Sequence, residues 1–448
     1  MTIRCDVAIV GGGFSGTMVA THLARHCGPE FSVRLFEEGE VGRGAAYGTP
    51  HAALLLNTRV AAMSAFPDDA DHFARWIGTD AAPEAFVSRR RYGDYITEIA
   101  RRTFARPSFE VVRNRVIGAQ RDGDGYVLMT ASGARCAARA VVLATGNFTP
   151  NDDFLPREIV AHPGYVGDPW RYDYTRVGGH VLLVGSGLTA LDALVALEAA
   201  GHRGVVDVVS RHARFPEVHA EGLTPYDVVP VLDAGDARGL LRSFRRQVRE
   251  ASARGYDWRT VVEAVRPEGE AHWRRLPALE QRRFDRHLRS IWERHRHRAP
   301  GQVAAARDRF AMRERLRVHA GRVAGFCDGG VVIATRARQI ALRPDWIVNC
   351  TGPGKQRRIF QEPLLAQLAH AGDVVPEQLG LGVRVDAEGA VIGTDGNASR
   401  NLWVVGPLAR GSRFESTAVP ELRLTARSAA MGVLESIAAD RQMAAAEA

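Results

Sequence analysis

Gly11, Gly13 and Gly16 stand at the spacing Gly-x-Gly-x-x-Gly, directly after the β-branched run Val7 to Val10. That arrangement suits a pyrophosphate. Gly11 permits a tight turn, Gly13 lets phosphates approach the backbone, and Gly16 lets the following helix pack closely on the strand. Ser15 lies in the turn, and the helical pattern continues through Met18, Val19, Leu23 and Ala24. Its free N–H groups and positive dipole end attract anions. A second strand, Val33 to Phe36, runs into Glu37, 21 residues beyond Gly16. A carboxylate there can accept hydrogen bonds from both ribose hydroxyls.

The pattern recurs. The run 180–184 leads into Gly185-Ser-Gly187-Leu188-Thr189-Ala190, with alanine in the third glycine position. The next strand, 205–209, ends at Ser210 and Arg211, with Arg214 close by and no acid at its tip. A carboxylate would repel a 2′-phosphate, whereas a hydroxyl and a guanidinium would bind one. The expected coenzyme is therefore NADPH, the other reading of Arg211 and Arg214 being solvated surface charge. Two dinucleotide folds in one chain imply a hydride relay between a resident flavin, FAD, and a nicotinamide that docks and leaves.

The elements that must position these groups are also legible. Strands ending in Ala144-Thr145-Gly146 and Thr351-Gly352 offer small residues where the chain passes each nucleotide. Leu402 to Val405 is a strand meeting a turn at Gly406 and Pro407, and a helix is expected from about 421 to 437, capped by Ser416 or Thr417. Such a helix either aims its positive end at the flavin pyrimidine or simply docks.

The chain has 448 residues, 46% of them hydrophobic and 25% charged, which excludes collagen-like, coiled-coil and disordered classes. Lys355 is the one lysine, so 58 of the 59 basic residues are arginines, and Schiff-base chemistry has a single candidate in a Gly-Pro-Gly-Lys loop. The five cysteines, Cys5, Cys27, Cys136, Cys327 and Cys350, form no Cys-x-x-Cys. An odd count without a secretory leader points to reduced thiols and a cytoplasmic location. No apolar run reaches membrane-spanning length. His295 and His297 lie on different helix faces, so no metal site is expected. Nucleic acid is not expected as a partner either, because the 295–298 run carries no accompanying binding fold. Its arginines, Arg296 among them, either face a phosphate or substrate carboxylate or form a solvated helix face. Among Arg89, Arg90 and Arg91, the same choice holds, and Arg90 is the substrate candidate.

Gly42-Arg-Gly44-Ala-Ala-Tyr47-Gly48, Leu55-Leu-Asn57, Met63-Ser-Ala-Phe-Pro67, His72-Phe-Ala-Arg-Trp76, Phe215-Pro216-Glu-Val-His219, Arg283 to Arg298 and Glu415-Ser-Thr-Ala-Val-Pro-Glu421 resemble the YdhS-like family of FAD/NAD(P)-binding proteins. The likeness spans nearly the whole chain; Thr58 departs from the more apolar residue expected there. The resemblance implies an α/β architecture of two Rossmann-like domains, like glutathione reductase. A discontinuous FAD domain would span 1–165 and 351–448, and an NADP domain 166–350, with a helical insert at about 224–315. Tyr47, Asn57 and Met63 join the cofactor contacts. The family is similar to the N-hydroxylating and Baeyer–Villiger monooxygenases. This implies O2 and a small amine or amino acid as substrates, oxygenated through a C4a-hydroperoxyflavin. The rival readings are a dehydrogenase or reductase without oxygen insertion, and a non-catalytic NADP(H) sensor. Asn57, Ser64 and His219 are the candidates near flavin or nicotinamide, with structural roles equally open.

Overall fold

The computed structural model describes every residue except Met1, Val229, Val231, Asp233, Ala234, Lys355 and Ala448, and describes only the backbone of residues 2, 356, 357 and 443–447. Lys355, the single Schiff-base candidate, thus lies outside the described residues. The chain divides into two compact units, one of residues 1–49, 58–148 and 354–448, the other of 50–57 and 149–353.

The first unit is built on an eight-stranded sheet. Its parallel part runs Ala398–Val404, Arg135–Leu143, Thr2–Val10, Val33–Phe36, Phe109–Val112, with Val7 opposite Val33 and Val10 opposite both Phe36 and Leu143. Val7, Ala8, Ile9, Val141, Val142 and Leu143 are wholly buried, as expected of strands covered on both faces. The crossover helix Phe14–His26 follows Thr2–Val10, and the long helix Val419–Glu447 packs along it. That helix begins earlier and ends later than the span expected from sequence.

The second unit repeats this plan. Its parallel strands are ordered Leu316–Cys327, Val206–Ser210, Val181–Val184, Trp346–Asn349, Tyr165–Val166. The sequence placed the domain boundaries at 165 and 351, whereas the contacts place them at 148 and 354. Leu155 and Ile159 pack with Leu182, Val184 and Ile347, and Leu54 packs with Val181 and Leu183, so 149–164 and 50–57 cohere with the second sheet. The insert is all-helical: Ala237–Ala253, Trp258–Val265, Gly269–Arg275, Ala278–His287 and Arg289–Arg296. It is shorter than the expected 224–315. The next helix, Gly301–Met312, packs on Leu188–Ala199 and feeds strand Leu316–Cys327, so it is a crossover of the Rossmann layers.

Candidate functional site

The first glycine turn is shaped by backbone crowding. Gly11 has φ +103°, and a Cβ there would lie 2.3 Å from the Ala144 carbonyl oxygen. A Cβ on Gly16 would lie 1.9 Å from the Gly11 carbonyl oxygen. Neither position admits another residue. Gly13 differs, since its added Cβ would meet nothing closer than Gly44 at 3.5 Å, so the space above it suits a ligand more than it serves packing. Glu37 closes the turn: its Oε2 accepts from the Gly12 N–H at 2.8 Å and its Oε1 from the Gly39 N–H at 2.9 Å. Both bonds fix the carboxylate at the strand tip and leave lone pairs for a ribose.

The helix that follows has no acid in its first turn to repel phosphate. Ser15, at that first turn, is buried. Gly406 has φ +94°, and a Cβ there would sit 2.9 Å from Ser15 Oγ, so this turn needs glycine, with Pro407 opening the next helical turn. Thr145 Oγ1 and Ser416 Oγ are buried without a hydrogen-bond partner among the described residues. Buried orphan hydroxyls are costly unless something bonds them, and a bound flavin dinucleotide would. Ser416 therefore does not cap the long helix, while Thr417 is exposed and Gly146 takes φ +72°. Tyr47 is buried edge-on to Tyr92, with its phenol pushed up to about 12 by burial. Met63 is buried too, its carbonyl accepting from Tyr92 Oη at 3.0 Å. Ser64 is fully buried, and its hydroxyl donates to the Asp69 carbonyl at 2.5 Å while its own carbonyl accepts from Arg423 at 3.2 Å. That hydroxyl holds the 64–69 turn.

The second turn has the same skeleton. Gly185 has φ +113°, and its Cβ would lie 2.4 Å from the Cys350 carbonyl oxygen, just as Gly11 meets Ala144. Gly187 is exposed with nothing within 4 Å of an added Cβ, and Leu188 and Thr189 open the helix behind it. At the strand tip hydroxyls replace the carboxylate. Ser186 Oγ lies 2.8 Å from Ser210 Oγ and donates to the Arg214 carbonyl at 2.7 Å, while the Ala213 N–H donates to Ser210 Oγ. Arg211 and Arg214 are exposed beside it.

Asn57 and His219 come together within the second unit, where His219 Nε2 donates to the Asn57 carbonyl at 3.0 Å. The residues flanking the 295–298 run hold His219, and of the two readings expected for the run's arginines the solvated face is the one that fails. Arg296 and Arg298 are buried, so the run is no solvated face. Arg298 pairs with Glu263, and Arg294 pairs with Glu217 at 2.5 Å. The Glu217 N–H donates to the Arg294 carbonyl, the Ala299 N–H to that of Glu217, and the His219 N–H to that of Ala299. Arg294 and Arg298 thus enter internal ion pairs, and the Arg294 carbonyl joins a short backbone ladder. Arg90 is exposed, Arg91 pairs with Asp80 at 2.7 Å, and Arg89 is buried.

Sequence reasoning missed Gly12 and Ser186, although both flank the motif glycines. It also missed Asp207, a buried carboxylate whose oxygens bond His180 Nε2 at 2.6 Å and His319 Nε2 at 2.5 Å. A charged residue inside an apolar strand was the available signal. Cys5 and Cys136, far apart in sequence, bring their thiols within 3.6 Å. Among the described residues, no group of three or more His, Cys, Asp or Glu is placed to hold a metal ion, and no helix is long and apolar enough to cross a membrane.

A family model described as FAD-NAD(P)-binding matches residues 8–148, the segment holding the first glycine turn, Glu37 and Thr145. No curated protein matches the chain by sequence. Solved structures match over nearly their full lengths. The chain is 12% identical to DfoA of Erwinia amylovora, a desferrioxamine-pathway cadaverine monooxygenase bound to FAD, with a TM-score of 0.65 over 97% of this chain and 95% of that one. A Kutzneria ornithine N-hydroxylase, solved with reduced FAD, NADP+ and L-ornithine, is 15% identical with a TM-score of 0.58, over 96% and 99%. The bacillithiol disulfide reductase of Bacillus cereus is 15% identical with a TM-score of 0.56, over 96% and 98%. At such identities the likeness establishes the fold alone, an α/β architecture with Rossmann-like dinucleotide-binding domains.

Proposed function

We propose that this FAD-dependent oxidoreductase takes its reducing equivalents from NADPH and is a monooxygenase, N-hydroxylating a small amine or amino acid with O2. FAD, when bound, supplies hydride acceptance and oxygen activation. The chain's own residues bind and orient. The N–H groups opening helix Phe14–His26 receive the flavin pyrophosphate, Glu37 the adenosine ribose, and Thr145 and Ser416 bond groups of the flavin. At the second turn, Gly187 admits the coenzyme pyrophosphate and the Ser210–Arg214 loop receives the 2′-phosphate. Asn57 and His219 form the candidate pair beside the nicotinamide or flavin. Arg90, exposed, and Arg296, buried, remain the candidates for a substrate carboxylate.

The observation that carries the choice against a dithiol relay is the place of the cysteines. Cys5 and Cys136, the one touching thiol pair among the described residues, lie near the starts of strands Thr2–Val10 and Arg135–Leu143. The glycine turn lies at the opposite end, six residues beyond Cys5, roughly 20 Å away along a strand. A flavin whose pyrophosphate rests at the turn would find no thiol pair at that end of the strands. A screen of NADPH oxidation over amino acids and polyamines, with peroxide measured alongside, tests the reading. A true substrate speeds NADPH oxidation and lowers the peroxide released per NADPH. Peroxide release that matches NADPH consumption for every amine defeats oxygen insertion and leaves the reductase reading.

A further inference from the structure

The helical insert concentrates the charge of the whole protein. Residues 236–298 hold 17 arginines against 9 aspartates and glutamates, a surplus of 8, which equals the net charge of the entire chain. The remaining residues are therefore balanced. Several of the insert's arginines are consumed internally, as Arg298 and Arg294 are. On helix Ala237–Ala253, Arg246 pairs with Glu250, but four others are not consumed in this way. Arg238, Arg242, Arg245 and Arg249 are exposed, and none forms an ion pair among the described residues. Their spacing of four, three and four residues puts them within about 40° of one line down the helix. With a rise of ~1.5 Å per residue the stripe is about 16 Å long.

The opposite face anchors the helix. Leu240, Ser243 and Ala251 are buried, the Asp236 carboxylate caps Gly239, and the Ala237 N–H donates to Glu280 Oε2 at 3.0 Å. The stripe is thus a rigid, outward-facing row of guanidiniums. Helix Ala278–His287 packs against it and adds exposed Arg282 and Arg286, one turn apart.

We propose that this stripe binds the phosphodiester backbone of double-stranded nucleic acid, without sequence specificity. Three features select that partner. Each guanidinium presents paired donors suited to phosphate oxygens. No large hydrophobic residue is exposed on helix Ala237–Ala253, so it has no wedge for a lipid interface. The row also carries no aromatic anchor of the kind that dominates protein–protein interfaces or stacks unpaired bases. The expectation against nucleic acid rested on the 295–298 run, whose arginines are internal; the stripe is a separate surface.

The test uses the full-length, FAD-loaded protein and a fluorescently labelled duplex of about 20 base pairs. Binding should weaken roughly 100-fold between about 50 and 200 mM salt, the slope expected for about four neutralised phosphates. Reversing the stripe (Arg238→Glu, Arg242→Glu, Arg245→Glu, Arg249→Glu) should abolish binding with flavin content unchanged. The neutral quadruple glutamine variant serves the same purpose should the reversed chain fold poorly. A control that reverses four exposed arginines elsewhere, Arg113, Arg135, Arg157 and Arg336, should bind like the parent. The proposal is overturned by a parent protein that does not bind the duplex, by a control that loses as much as the stripe variant, or by capture of anionic vesicles alone.

Discussion

The turn at 11–16 closes on a carboxylate, and the turn at 185–190 closes on hydroxyls. Their skeletons are otherwise alike: Gly11 beneath the Ala144 carbonyl and Gly185 beneath that of Cys350, both at positive φ. What differs is the tip of the second strand and the third motif position. Glu37 ties down the N–H groups of Gly12 and Gly39, whereas Ser186 and Ser210 hold a loop that leaves Arg211 and Arg214 in solvent. The common part is demanded by backbone crowding, so it says only that a dinucleotide is held. The variable part carries the identity of the nucleotide, because charge at the ribose decides between a hydroxyl and a phosphate.

The third motif position should break the symmetry most strongly. Gly16→Ala drives a Cβ against the Gly11 carbonyl, costing roughly 3 kcal/mol and giving colourless protein. The mirror change, Ala190→Gly, costs about 1 kcal/mol of helix propensity and leaves NADPH binding intact. Comparing flavin content and Tm of the two variants checks this, and equal losses would refute the packing account.

The tip residues come next. Glu37→Ala leaves two backbone donors unmatched and should weaken FAD by about 2 kcal/mol, near 30-fold in Kd, without altering coenzyme choice. Arg211→Ala with Arg214→Ala should raise KM for NADPH about tenfold and leave NADH unmoved. Were both coenzymes to suffer alike, the 2′-phosphate assignment would fall.

The smallest difference is in pH response. In the first unit His22 is 1% exposed, its ring nitrogens lack partners among the described residues, and burial lowers its pKa to about 4. The unfolded chain then binds the proton first, so stability is lost as pH falls below about 6.5, on the order of 1–2 kcal/mol by pH 5. In the second unit the bond to Asp207 raises His180, whose contribution is present below about 6.5 and lost as pH rises through its raised value. Asp207 is itself lowered: burial opposes its charge, but its histidine bonds outweigh that, so its contribution fails only in stronger acid. Acidification from pH 7 to 5 should therefore loosen the packing around His22 and not that around His180 and Asp207. Hydrogen exchange resolved by peptide would show it, and a His22→Gln variant should remove the effect.

Much of this was readable in the chain because its causes are local. A β-branched run, a glycine turn, an amphipathic helix and a charged strand tip are neighbours in sequence, so the two turns, Glu37 and the Ser210–Arg211 tip stand where spacing put them. The helical insert was visible from its periodicity, although Gly301–Met312 read as part of it, since periodicity does not tell which layer a helix joins.

Sequence by itself determined the duplicated dinucleotide architecture and the types of residue at each strand tip, because steric and hydrogen-bonding demands within some thirty residues suffice for both. Only the tertiary structure decided that Arg296 and Arg298 are internal, that Ser64 serves a turn, that 50–57 joins the second unit, and that Asp207 is shared by two histidines. Those outcomes depend on burial and on partners tens to hundreds of residues away. Whether a charged or polar side chain faces water or the interior depends on the packing around it, which local spacing does not encode.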